Sequence, residues 1–341
     1  MNDGRDMPAL GYGTWLGFNE KVCLNNIFVF VFQNELLIED VPRMVEALSY
    51  AIDIGYRHID TAHVYRVEPE VGEVINKKIR EGVVKREDIF LTTKLWNHLH
   101  READVEVAVR GSLRRLNLDY LDLVIIHWPM SVSEDAADEK IDYLETWRGM
   151  ETVLKKGLTK SIGVSNFNVQ QLQRLLQHCK IPPTCNQVEV NLNLGQEELM
   201  SFCRSNDILV VAYSPFGTMV PSRAAPDSPE PKLNNPTMVA IAQKHGKTVT
   251  QILLRYLYER GISTIPKTLT KARVLENASI FDFSLDRADT EAIKAFDNGY
   301  RTSRPVFWET YENYPFDKIN QKVEIPLGLL KWKNGANGDI E

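Results

Sequence analysis

From residue 40 onward the chain alternates between two hydrophobic periods. VPRMVEALSYAIDIG (41–55) carries apolar side chains at helical spacing and stops at a glycine, as a helix C-terminus does. YRHIDTA (56–62) reads as a short strand, and a helix follows from about Glu68 to Glu81. The succession then repeats. DIFLTTKLW precedes a helix from about Glu102 to Leu116, LDLVIIHW precedes LETWRGMETVLKKG, KSIGVSN precedes VQQLQRLLQHC, and CNQVEVNL precedes QEELMSFCRSN. ILVVAYSP leads, after a long loop and two helices, to a last strand, ISTIPKT.

With ALGYGTW as the first, the strands number eight. LVII is apolar on both faces, as a parallel strand covered by helices must be. The pattern predicts an α/β fold, a (β/α)8 TIM barrel forming one domain over 1–341, with large loops on the C-terminal face. GYGTWLG has the wrong glycine spacing for a dinucleotide-binding βαβ turn and no helix directly after it, which argues against a Rossmann domain.

Two stretches interrupt the rhythm. Residues 19–40, NEKVCLNNIFVFVFQNELLIED, place Phe28, Phe30 and Phe32 in an apolar, β-forming run inside the first βα loop. Its apolar part is far shorter than the ~20 residues that span a bilayer. Three readings fit it: a lid over the barrel mouth, a strand added to another subunit, or an unselected addition such as translated intron sequence. Residues 216–236, rich in Pro, Ser and Asn, form a loop long enough to be functional or disordered. The tail, 317–341, reads as polar and loose.

Composition narrows the functional class. The net charge of -6 argues against a general nucleic-acid binder, which needs clustered Lys and Arg. Cys23, Cys179, Cys185 and Cys203 show no CxxC spacing, which points to a reducing compartment, and the first residues hold no apolar signal core. A cytoplasmic protein with no membrane partner is the expectation. His98 and His100 in NHLH lack further ligands, so no metal is expected and they read as loop surface.

Barrel enzymes carry their chemistry where strands end. Those positions hold Asp60 and Tyr65, Lys94, His127, Ser165 and Asn166, Gln187, Tyr213 and Ser214, and Lys267. Polar groups embedded in apolar strands need a reason, because unpaired burial is costly. Asp60, Tyr65, Lys94 and His127 form a coherent acid–base set. A phenol titrates near ~10, and a neighbouring ammonium draws it down by favouring phenolate. Lys94 would supply that charge, Asp60 would hold Lys94 in place, and His127 would orient a carbonyl oxygen.

GYRHIDTAHVY, KLW, DYLDLVIIHWP, IGVSNF, AYSPFG and IPKT…R…EN together resemble the aldo-keto reductase superfamily, over about residues 7–316 apart from the apolar run. The resemblance implies NADPH-dependent reduction of aldehydes or ketones, with Tyr65 as proton donor and Lys94, Asp60 and His127 completing the tetrad. It places Ser165, Asn166 and Gln187 on the nicotinamide carboxamide, Tyr213 on the nicotinamide ring, Lys267, Thr268 and Arg273 on the adenosine 2′-phosphate, and Asn277 on the adenine. Thr14, Trp15, Ser214, Phe216 and Glu276 join the implied cofactor site. It implies a small-molecule carbonyl as partner and a monomer. It also implies a hairpin plugging the barrel base, of which this chain keeps only the turn NDGRDMP.

His127 stands where members reducing a steroid carbon–carbon double bond carry Glu, so carbonyl reduction is the expectation. Trp15, Trp96 and Trp128 at strand ends, with Phe307 and Trp308, imply a large apolar substrate. Asn191 and Leu192 replace a frequent His-Pro, a variant similar to insect members, some of which reduce 3-dehydroecdysteroids. Broad aldehyde detoxification fits equally, and a non-catalytic lens or channel-associated role is the alternative from another class.

Overall fold

A computed structural model describes residues 1–16, 20–24, 27–31, 40–219, 224 and 228–318. The elements run β1 (Gly11–Gly13), β2 (Glu20–Leu24), β3 (Ile27–Val31), α1 (Asp40–Asp53), β4 (His58–Asp60), α2 (Glu68–Arg80), β5 (Phe90–Leu95), α3 (Glu102–Leu116), β6 (Leu123–Ile126) and α4 (Tyr143–Lys155). They continue with β7 (Ile162–Ser165), α5 (Val169–His178), β8 (Cys185–Glu189), α6 (Glu197–Ser205), β9 (Leu209–Tyr213), α7 (Pro236–His245), α8 (Val249–Glu259), β10 (Ser263–Thr264), α9 (Lys271–Ala278) and α10 (Arg287–Lys294).

Eight strands form one parallel sheet in the order β1-β4-β5-β6-β7-β8-β9-β10. The sheet closes on itself. Thr264 N donates to Ala9 O at 2.9 Å, and Gly13 N donates to Pro266 O at 3.2 Å. Gly13 is needed at this seam, because a Cβ there would lie 2.7 Å from Ile265 O. β1 and β10 are shorter than ALGYGTW and ISTIPKT led us to expect. Pro266 has no N–H to extend the ladder, so β10 stops after two residues.

Alternation along β6 explains its apolar composition. Leu123 and Ile125 point into the barrel with Phe90, Cys185, Val211 and Ile265, while Val124 and Ile126 join the larger core beneath the helices. Met1 and Met7 pack against the inner cluster, so the first residues cover the base. Arg5 pairs with Asp122 at 2.9 Å, Asn2 Nδ2 donates to Pro183 O at 2.9 Å, and the Ser161 hydroxyl donates to Asp3.

Within residues 19–40, β2 and β3 pair antiparallel as a separate two-stranded sheet, from Glu20↔Val31 to Leu24↔Ile27. The packing of Phe28 and Phe30, and all of Phe32 and Leu36–Ile38, lie outside what is described, as does most of the tail. In the 216–236 loop a short turn, Gly217–Met219, is described, followed by residue 224 and the approach to α7. No helix among the described residues is long and apolar enough to cross a membrane.

Candidate active site

Parallel register brings the strand-end groups together. Asp60 ends β4, Lys94 lies in β5 and His127 follows β6, with Asp60 beside Thr92 and Lys94 beside Ile125. Tyr65 closes a single 3₁₀ turn, His63–Tyr65, just beyond β4. Lys94 is 1% exposed; its Nζ donates to Asp60 Oδ1 at 2.5 Å and to Thr61 O at 2.9 Å. The same nitrogen sits 4.7 Å from the centre of the Tyr65 ring. Burial pulls the Lys94 pKa down, and the Asp60 carboxylate opposes that pull.

The His127 ring meets Tyr65 edge-on at 5.8 Å and Trp96 at 5.1 Å between centres. Burial, and then the charge of Lys94, press its pKa well below the usual imidazole value. His127 is therefore a neutral ring, able to hydrogen-bond a carbonyl oxygen without carrying charge.

A second layer of hydrogen bonds ties this group to the neighbouring strands. Gln187 Nε2 donates to Asp60 Oδ2 at 2.7 Å, and Ser165 Oγ to Gln187 O at 2.7 Å. Asn166 Nδ2 donates to His127 O at 2.9 Å, while its Oδ1 accepts from the Tyr213 hydroxyl at 2.7 Å. Asn166 and Ser214 sit at φ 62° and 49°, the left-handed region that non-glycine residues rarely occupy. Such conformations gather at functional sites, where surrounding contacts hold them.

Above these groups opens a cavity of about 960 Å³. Every residue expected from the sequence to be catalytic or to meet cofactor or substrate lines it except Lys94, which is buried, and Thr14, whose buried hydroxyl donates to Asp60 O at 3.0 Å. One wall is aromatic. Trp308 lies 6.1 Å from both Trp96 and Trp128, and Phe307 4.9 Å from Trp308. The side across the barrel is basic, with Lys267 just past β10 and Arg273 on α9. Arg273 pairs with no acidic group among the described residues.

Glu189, not singled out from the sequence, fixes the segment that carries Phe307 and Trp308. Wholly buried at the end of β8, it accepts from Thr302 N at 2.9 Å, Thr302 Oγ1 at 2.5 Å, Ser303 N at 2.8 Å and Asn191 Nδ2 at 3.0 Å. No cation among the described residues partners it; hydrogen bonds alone satisfy the carboxylate. The signal available in the sequence was a glutamate in an apolar strand.

The reading of His98 and His100 as loop surface is corrected. His100 is fully buried, its carbonyl accepting from Thr146 of α4, and His98, in the 3₁₀ turn Asn97–Leu99 that follows β5, is partly buried beside the His63 ring. Burial pushes His100 down to about 3 and His98 to about 4. Among the described residues no three His, Cys, Asp or Glu side chains are grouped to hold a metal.

A closed parallel barrel with charged groups at strand ends beneath a cleft has the build of a barrel enzyme, and the sequence names which. The chain belongs to the aldo/keto reductase family, whose sequence model matches residues 33–298. Among relatives, the silkworm aldo-keto reductase AKR2E5, crystallised with NADPH, is 62% identical and superposes with a TM-score of 0.90 over 98% of this chain and 97% of its own. Aldo-keto reductase AKR2E4 of Bombyx mori, crystallised with NADP, is 42% identical over 92% of this chain and 97% of its own, with a TM-score of 0.84. A 3-alpha-hydroxysteroid dehydrogenase of Rattus norvegicus is 35% identical over 93% of this chain and 96% of its own.

Proposed function

We propose that this protein reduces aldehydes and ketones to alcohols with NADPH, with Tyr65 as the proton donor. The observation that carries the reading is the Lys94 ammonium, gripped by Asp60 at 2.5 Å and set 4.7 Å from the Tyr65 ring. NADPH, when bound, supplies the hydride. Tyr65 gives its proton to the carbonyl oxygen, and the Lys94 charge stabilises the phenolate left behind. His127, neutral, orients that oxygen.

The cavity suits the cofactor. Arg273 brings a guanidinium without a described counter-ion, the donor a 2′-phosphate requires. Lys267 and Thr268 stand on the same side, and Asn277, whose side chain bonds no described residue, is available to adenine. Ser165, Asn166 and Gln187 offer amide and hydroxyl groups to the carboxamide, and Tyr213 offers a ring face. The crystallised relatives with NADPH and NADP support this assignment.

The aromatic wall favours a bulky apolar carbonyl such as a ketosteroid, an ecdysteroid or a lipid-derived aldehyde, and the hydroxysteroid-dehydrogenase relative agrees with it. The test is turnover of an aldehyde, quinone and ketosteroid panel, with NADPH binding followed by fluorescence. Tyr65→Phe should lower kcat about 10²–10⁴-fold while NADPH still binds. Full activity in that variant would overturn the mechanism; turnover of sugars alone would overturn the substrate class.

A further inference from the structure

Four cations line the cavity: Arg43, Lys267, Arg273 and Arg304. Arg43 is paired with Asp40 at 2.8 Å. Lys267 and Arg273 belong to the β10–α9 side, four strands round the barrel from β6 and the aromatic wall. Arg304 is left, on the same segment as Pro305, Phe307 and Trp308. It makes no ion pair and no side-chain hydrogen bond with any described residue, although it is half buried.

Its backbone is held from both sides. Ser303 N is bound to Glu189 at 2.8 Å, and Arg304 O accepts from Val306 N at 2.9 Å. The ring of Pro305 restricts the next φ. The guanidinium is near enough to Tyr314 to counteract the burial that pushes this phenol up to about 12. Tyr314 in turn packs on the aromatic cluster of Trp96 and Trp308. A guanidinium with no ion-pair partner among the described residues, though the buried Glu309 carboxylate also acts on Tyr314, therefore lines an aromatic chamber from a fixed position.

We infer that Arg304 determines specificity, and that the preferred substrate carries a carboxylate in addition to its carbonyl and apolar body. A planar guanidinium fork matches a carboxylate in charge and geometry. On this side Arg304 is the cation that lines the cavity, Arg301 being turned to Gln196 and Phe316, and a single guanidinium suits a monoanion; a phosphate dianion finds its donors on the other side, at Lys267 and Arg273. The inference deepens the carbonyl-reductase reading and rests on it: among lipid-derived aldehydes it selects oxo acids over neutral carbonyls.

The experiment compares acids with their methyl esters using the full chain and NADPH. The pairs are 9-oxononanoate with methyl 9-oxononanoate, and 4-carboxybenzaldehyde with methyl 4-formylbenzoate, which together span two distances from carbonyl to charge. In the wild type, kcat/KM should favour the acid in at least one pair. Arg304→Gln should cut that acid-to-ester ratio about ten- to a hundredfold, mainly through KM for the acid, the range of a charge-assisted contact. Arg304→Lys should restore part of it.

The ester reports separately on the folded, working site. A ratio of one or below in both wild-type pairs, or a ratio unaltered by Arg304→Gln, would overturn the inference while leaving carbonyl reduction intact. A rise in KM for NADPH with equal losses on acid and ester would also overturn it, assigning Arg304 to the cofactor instead. No turnover of the four aldehydes while quinones or ketosteroids are reduced would overturn this inference alone; no turnover of any carbonyl in the panel would remove the reductase reading, and this one with it.

Discussion

Asp60 and Lys94 form a salt bridge of 2.5 Å between side chains 2% and 0% exposed. The second carboxylate oxygen is taken by Gln187, so neither oxygen of Asp60 is spare. Removing one member of such a pair strands the other charge in a medium that solvates it poorly. Lys94→Met should therefore destabilise the protein by about 3–5 kcal/mol as well as abolishing reduction. Adding Asp60→Asn should recover much of the stability and none of the activity. Urea unfolding of the single and double variants checks the first part, and steady-state rates the second.

Arg273 offers a prediction about cofactor choice. With its guanidinium facing the cavity and no acidic partner described, Arg273→Gln should reduce the preference for NADPH over NADH about ten- to a hundredfold, the worth of a charged hydrogen bond to phosphate. The ratio of kcat/KM for the two cofactors, at saturating aldehyde, measures it.

The Glu189 tether predicts a change in substrate range. Glu189→Ala leaves the Thr302 and Ser303 donors unsatisfied and releases the wall they hold. The variant should lose about 2–3 kcal/mol of stability. If Phe307 and Trp308 line the substrate pocket as proposed, its KM should rise more for bulky ketones than for small aldehydes. Equal changes for both classes would show that the tether does not shape the pocket.

Buried histidines set the acid limb of stability. Burial depresses His58 and His98 to about 4, and His63 and His100 to about 3. As pH falls below about 6.5 the unfolded chain takes up protons that the folded protein refuses. Stability is thus complete above that pH and is lost toward pH 4 by about 1.4 kcal/mol per pH unit for each such ring. Neither ring nitrogen of His100 bonds any described residue. His100→Phe should accordingly flatten the slope by one proton, read from urea unfolding at pH 4.5, 5.5 and 6.5.

The positions of Asp60, Tyr65, Lys94 and His127 were legible because each interrupts an apolar strand or its immediate end, where the barrel geometry directs them to one face. Glu189 interrupts an apolar strand too, yet it was not among the candidates, and nothing local marks its partner. Thr302 lies 113 residues away in a segment with no periodicity, so the tether exists only once the chain has folded. His98 and His100 were misread because their surroundings come from α4 and from the turn that carries His63, which no local pattern encodes. Arg304 carried no signal at all: a single arginine in a loop becomes informative only when its neighbours are seen to leave it unpaired.

The strand-end groups and the aromatic wall are fastened by different means. The first are built into the parallel ladder itself. The segment that completes the second is held by Glu189 at its near end and by side-chain bonds to Asn313 and Pro315 at its far end. Exchange of residues 304–316 for another stretch would leave the Thr302 and Ser303 donors on Glu189, and the groups proposed to transfer the proton, in place. Reactivity and selectivity are thus separate modules in this molecule, and substrate range can drift, or be engineered, by grafting that segment without rebuilding the barrel.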